Sequence, residues 1–130
     1  MESIYIKKTK KAPLINLNLE ESVFQIKGPS FSEDIVEIYT PVIEWIESEL
    51  PKLENELSCE FYFTVLNSAS HKKIFQILIK LNSLLDEGKK ISVKWYYDED
   101  DEDIMEMGED LIELINLPFE LISGNIPTSV

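Results

Sequence analysis

The spacing of apolar residues along the chain changes period several times, and each change marks an element. Ile4-Tyr-Ile6 is a short strand candidate. Pro13-Leu-Ile-Asn-Leu-Asn-Leu19 alternates in part, as a strand with one buried face does. Glu20, Glu21 and Ser22 form a turn, and Val23-Phe-Gln-Ile-Lys27 alternates again. The two runs are expected to pair as a hairpin, stopped by Gly28-Pro29. The period then lengthens. Ile35, Ile38, Val42, Ile43, Trp45, Ile46 and Leu50 share one broad face of a helix spanning Glu33 to Leu50. Ser32 is its expected N-cap, with Glu33 and Asp34 in the first turn. Pro41 removes one backbone hydrogen bond inside it, so a bend is expected there.

Phe61-Tyr-Phe-Thr-Val-Leu66 is aromatic or β-branched at nearly every position. The strand Ser58 to Leu66 therefore reads as central and covered on both faces. Asn67, Ser68, Ala69 and Ser70 make a small, polar turn. Ile74, Phe75, Ile77, Leu78, Leu81, Leu84 and Leu85 then define a helix from Ser70 to Glu87, closed by Gly88. Ile91 to Tyr97 is the next strand, and strand–helix–strand order implies parallel pairing. Asp98-Glu-Asp-Asp-Glu-Asp103 opens a third amphipathic helix, continued by Ile104, Met107, Gly108, Leu111, Leu114 and Ile115. Pro118 to Ile122 is the last strand.

The expected order is β-β-β-α-β-α-β-α-β. That is an α/β chain with a mixed sheet of six strands and three helices to cover its faces. No repeat or linker divides it, so residues 1–123 are expected to be one domain and 124–130 a loose, flexible tail.

Charge narrows the function classes. The chain has 25 acidic and 12 basic residues, a formal net charge of −13. Such a field repels nucleic acid phosphates and anionic membrane, and it admits a partner with a basic surface. Lys7, Lys8, Lys10 and Lys11 form the one basic cluster, read either as a solvated strand edge or as a local docking patch. Cys59 is the single cysteine, so no internal disulfide forms, and a reducing cytoplasm is the expected compartment. The N-terminal residues contain no long apolar run of the signal-peptide kind, and no stretch is long enough to span a membrane.

Candidate chemistry is sparse. Between Asp98 and Glu113 every charged residue is acidic, but the sixth position of a calcium loop counted from Asp98 is Asp103, not glycine. The run reads as a solvated helix start or a surface for basic side chains. His71 is the sole histidine and cannot complete a zinc site with Cys59. Ser68 and His71 lack a nucleophile elbow and an orienting carboxylate. No phosphate-binding loop or dinucleotide fingerprint is present. No metal, cofactor or enzymatic activity is expected. Trp95, Tyr96 and Tyr97 read as packing, with stacking on a ligand as the alternative. The hydroxyl turn has two readings: helix capping alone, or phosphorylation. A phosphate there adds about −1.5 to −2 charge at the positive end of a helix.

Lys27-Gly-Pro-Ser30, Ile43-Glu-Trp-Ile46, Leu66-Asn-Ser-Ala-Ser-His-Lys72, Val93-Lys-Trp-Tyr-Tyr-Asp98 with its acidic continuation, and Leu117-Pro-Phe-Glu120 together resemble the SiaC-type bacterial regulatory phosphoproteins. The similarity spans nearly the whole chain and keeps the motif order. It implies a fold like the STAS domains of anti-sigma-factor antagonists and a partner-switching role. It further implies a cognate anti-sigma-factor-type serine/threonine kinase, a PP2C-type phosphatase, and a diguanylate cyclase bound and activated by the unphosphorylated form. Through such a cyclase, members of the family act on cyclic di-GMP signalling and biofilm formation. The family's phosphorylated hydroxyl matches Ser68, with Ser70 as runner-up. The implied partner surface is Asn67, Ser68, Ala69, Ser70, His71 and Lys72, with Tyr97 and Asp98. The alternative is an unswitched scaffold or small-ligand-binding domain of the same fold.

Overall fold

The structure, a computed structural model, describes residues 3–127. Six strands among the described residues form one sheet, and their order in the sheet is their order in the chain. Strands β1 (Ile4–Ile6), β2 (Leu14–Asn18) and β3 (Val23–Ser30) form an antiparallel meander. Strands β4 (Leu57–Leu66), β5 (Ile91–Tyr97) and β6 (Phe119–Ser123) then add in parallel, β4 alongside β3. Helices α1 (Ile35–Glu49), α2 (Ser68–Asp86) and α3 (Glu102–Leu114) make the three crossovers. The element order and the mixed sheet agree with the sequence.

The expectation of a sheet covered on both faces fails. A strand order without reversal is the cause. Crossovers of one hand that always step to the next strand in the same direction place every helix on the same side. The burial pattern records this. Leu57, Cys59, Phe61 and Phe63 of β4 are buried, whereas Ser58, Glu60 and Tyr62 are half-buried and Thr64 is exposed. The core-facing rows run across the sheet as Ile15, Ile26, Phe61, Trp95 and the half-buried Leu121, and as Leu17, Phe24, Cys59, Val93 and the half-buried Phe119. The opposite face carries the row Tyr5, Asn16, Gln25, Glu60, Lys94 and Glu120, and no helix among the described residues lies over it.

Several boundaries move. β3 does not stop at Gly28-Pro29 but continues to Ser30 through a register shift between those two residues, with Gly28 at φ +126°. Ser32 is not the cap of α1. Asp34 precedes the helix, and the Ser32 Oγ accepts the Asp34 N–H at 3.1 Å. α1 continues through Pro41. α2 begins two residues earlier than expected, at Ser68. α3 begins only at Glu102, because Asp98 to Asp101 close a turn, with Asp101 N–H donating to Asp98 O at 2.8 Å. The Asp101 carboxylate then caps the Ile104 N–H at 3.1 Å. Gly124 N–H donates to Tyr97 O at 2.8 Å, and Ile126 is buried. Residues 128–130 of the expected tail lie outside the described residues.

Aromatic rings fill the single core. Phe24, Phe61, Phe63, Trp95 and Phe119 touch in sequence with centroids 5.7–6.3 Å apart, and Trp45 of α1 joins at Phe24, 6.1 Å away. Trp95 also holds α3: its indole N–H donates to Ile104 O at 2.9 Å. Gly108 lets the helix approach. A Cβ there would lie 2.6 Å from Trp95 Cδ1 and 2.5 Å from Leu121 Cδ2. Replacing Gly108 with alanine in an unconstrained helix would gain about 1 kcal/mol. Overpacking a rigid core costs about 1–3 kcal/mol, and the Trp95 indole cannot swing aside. Gly108→Ala is therefore expected to lower stability, by up to about 2 kcal/mol in urea unfolding. An unchanged or raised midpoint would show that α3 does not depend on this close approach.

Candidate functional site

Parallel strands send their carboxyl ends to one edge of the sheet, where open α/β sheets place their binding residues. β4 ends there at Leu66, and the chain turns directly into α2. Asn67 is the N-cap, with extended backbone (φ −84°, ψ 173°), and its Oδ1 accepts the Ser70 N–H at 2.9 Å. Its own N–H donates to Ser30 O at 3.2 Å, and its carbonyl accepts from His71 at 2.9 Å. The N–H groups of Ser68 and Ala69, the first two helical residues, have no acceptor among the described residues. They point outward at the positive end of a nineteen-residue helix. An oxyanion on that surface would find donors in place.

The two serines differ sharply. Ser68 is exposed. Ser70 is fully buried, so it is neither an available acceptor nor part of an outer surface in this conformation. Its hydroxyl donates to Ser30 O at 2.9 Å and accepts from Ser30 Oγ at 2.8 Å. The Ser30 hydroxyl has given its only proton to Ser70, so the Tyr39 phenol must be the donor in the 2.7 Å contact between them. A closed chain results: Tyr39 to Ser30, Ser30 to Ser70, and Ser70 back to the Ser30 carbonyl. Burial pushes the Tyr39 phenol well above its usual range. These buried hydroxyls fasten the turn to β3 and α1. Sequence reasoning missed Ser30 and Tyr39. The only signal was a serine directly after Gly28-Pro29, where a strand was expected to have ended.

His71 and Lys72 follow the turn on α2, the first half-buried and the second exposed. Tyr97 and Asp98 reach the same edge from β5 but on another level. Tyr62 pairs with Tyr96, so Asp98 stands level with Thr64, three residues short of Asn67. That is a separation of about 10 Å along the strand. Asp98 also turns to the uncovered face, where the Tyr62 hydroxyl donates to its carboxylate. That hydrogen bond, with burial and the nearby charges, pushes the Tyr62 phenol up to about 12. On the same face Gln25 Nε2 donates to Glu60 Oε1 at 3.0 Å and the Tyr96 hydroxyl to Glu60 Oε2 at 3.4 Å. Burial, with Glu60 beside it, raises the Tyr96 phenol. The structure thus gathers 67–72 into one site and sets Tyr97 and Asp98 apart from it. Among the described residues no three histidine, cysteine or carboxylate side chains come together as a metal site. No described helix is long and apolar enough to cross a membrane.

The fold and turn define a class: a mixed α/β chain that presents a capped, exposed hydroxyl at the carboxyl edge of a one-sided sheet. The sequence model of the SiaC family of regulatory phosphoproteins matches residues 6–124, and the chain belongs to that family. An uncharacterized protein of Pseudomonas aeruginosa (strain UCBPP-PA14) is 27% identical over 121 residues, covering 93% of this chain and 96% of that protein. The crystal structure of apo-SiaC from Pseudomonas aeruginosa superposes with a TM-score of 0.87 at 26% identity, covering 95% of this chain and all of that one. SiaC bound to the diguanylate cyclase SiaD, which it activates, matches equally well, with a TM-score of 0.87 over 93% of this chain and 99% of that one.

Two measurements check the site geometry. Ser30→Ala strands the buried Tyr39 hydroxyl and strips Ser70 of a partner, so it should cost about 1–3 kcal/mol in urea unfolding. Tyr39→Phe removes only the outermost donor and should cost less. The reverse ranking would refute the hydroxyl chain. The second concerns Tyr62. Its folded value lies above the unfolded one, about 10, so its contribution to stability is complete below that pH. The contribution is lost as pH rises towards about 12. Asp98→Asn should return the Tyr62 phenol towards its ordinary value in an ultraviolet titration. An unaltered titration would exclude the Tyr62–Asp98 bond.

Proposed function

We propose that this chain is a phosphorylation-controlled partner switch whose acceptor is Ser68. The observation that carries the proposal is the contrast within the turn: Ser68 is exposed at the first helical position, and Ser70 is buried and bonded. Membership of a family of regulatory phosphoproteins supports it. In the unphosphorylated state the turn docks a signalling partner through Asn67, Ser68, Ala69, His71 and Lys72. That partner is a diguanylate cyclase, by analogy with the SiaD complex of the Pseudomonas aeruginosa relative. Ser70 serves from beneath by holding the turn, and Tyr97 and Asp98 flank it. The chain is an adaptor without catalysis of its own, acting in the cytoplasm.

A cognate anti-sigma-factor-type kinase adds the phosphate and a PP2C-type phosphatase removes it. The added charge is about −1.5 to −2, with three acceptor oxygens. The free N–H groups of Ser68 and Ala69 accept part of that charge, so α2 survives the modification. Across an interface the same charge and bulk break a fitted contact. The switch then needs no refolding.

Ser68→Asp should weaken capture of the partner by about tenfold or more, a loss of about 1.4 kcal/mol or more. Ser68→Ala should retain it and abolish its control. Affinity capture from the native cell, with phosphopeptide mass spectrometry of the captured chain, reads both. Equal capture by the two variants, or no phosphate on Ser68 under any growth condition, would remove Ser68 as the control point.

A further inference from the structure

On the uncovered face, at the carboxyl end of β3 and β4, a cavity of about 240 Å³ opens beside the basic loop that follows β1. Leu14, Gly28, Pro29 and Tyr62 line it together with the polar residues Lys8, Lys27, Thr64 and Asn125. No carboxylate lines it. In a chain with 25 acidic and 12 basic residues, that composition runs against the whole.

All four polar groups are free to donate. The ion pairs of the described residues are Lys52 with Glu49 and Lys80 with Glu47, so neither Lys8 nor Lys27 has a carboxylate partner. Asn125 Oδ1 accepts the Ile126 N–H at 2.7 Å, which leaves its NH2 group as the unpaired end. Among the described residues the Thr64 hydroxyl has no hydrogen-bond partner. The Tyr62 hydroxyl is different: it is committed to the Asp98 carboxylate.

The backbone is shaped to seat Lys8. Gly28 has φ +126°, and a Cβ there would stand 2.9 Å from Lys8 Cδ and 3.2 Å from its Cγ. A larger residue at this positive φ would be strained and would press on the Lys8 stem, which lines the cavity with Lys27. The register shift at the same point, where Gly28 pairs with Phe63 and Pro29 with Val65, leaves Thr64 of β4 unpaired with β3.

We propose that this cavity binds a compact oxyanion, the phosphate of a free ion or of a small phosphate monoester. Two ammonium groups balance its charge, and the Thr64 hydroxyl and Asn125 amide complete its oxygen contacts. The site is separate from the Ser68 turn and stands or falls independently of phosphorylation there. It shares a strand with that turn, since Ser30, two residues beyond Gly28, holds Asn67 and Ser70.

The test is a two-dimensional NMR titration of the unmodified full chain with inorganic phosphate and, separately, with glycerol phosphate. Sodium chloride at matched ionic strength is the reference. Saturable shifts centred on Gly28, Thr64 and Asn125 are expected. A tighter fit for glycerol phosphate identifies a monoester site, and a tighter fit for the free ion identifies a phosphate site. Lys8→Ala and Lys27→Ala should each weaken binding about tenfold, one charge-assisted hydrogen bond apiece. Lys8 lies in an exposed loop, so its variant tests binding without disturbing the sheet. Linear shifts no larger than those with chloride, or saturable binding unaffected by both substitutions, would overturn the proposal.

Discussion

Everything in this molecule depends on a sheet whose strands are laid down in chain order without a reversal. That single constraint sends all three helices to one face and concentrates the apolar rows beneath them. The second face is then left to polar side chains that hold one another: Gln25 and Tyr96 on Glu60, Tyr62 on Asp98. The parallel half also delivers β3, β4, β5 and β6 to a common carboxyl edge. The turn, the acidic run and the basic loop all meet the sheet there, although they are far apart in sequence.

The strand and helix pattern was legible because each element obeys its own period. Leu57, Cys59, Phe61 and Phe63 alternate with Ser58, Glu60, Tyr62 and Thr64 as a half-buried strand should. The reading of two covered faces arose from Tyr62 and Val65, which count as strand formers whichever way they point. Tyr62 is amphipathic: its ring lies on the open face and its hydroxyl binds a carboxylate. Strand order is a tertiary property, and no local periodicity records it. The start of α3 was misplaced for a related reason. Acidic residues suit both a turn and the first turn of a helix, and only the Asp98–Asp101 hydrogen bond separates the two.

The turn itself was visible as four small polar residues, and its division of labour was not. Ser68 and Ser70 are equivalent by composition. They part because α2 starts at Ser68, which rotates one hydroxyl outward and the other towards β3. The partner that fixes Ser70 is Ser30, forty residues away, and the partner that fixes Ser30 is Tyr39 on another helix. Contacts of that sequence separation leave no mark on the local pattern. The basic cluster carried a similar ambiguity. Its lysines read first as a solvated edge, and the Lys8 stem passes close to Gly28, which has a positive φ.

The rigidity of the turn also governs how a modification could act. A phosphorylated loop can signal by becoming ordered, but this one is ordered already. Asn67 is bonded through its N–H, its carbonyl and its side chain, and Ser70 is locked from below. A phosphate on Ser68 would therefore change the charge and shape of the edge rather than its backbone. Order–disorder control would require Ser70 to leave a buried chain of hydroxyls, stranding Tyr39 and Ser30 at a cost of about 1–3 kcal/mol each. Two free N–H groups at the helix start already stabilise added negative charge where it would be placed. Surface electrostatics is thus the less costly route to a switch, and the buried serine makes it so by keeping the exposed one in a fixed position.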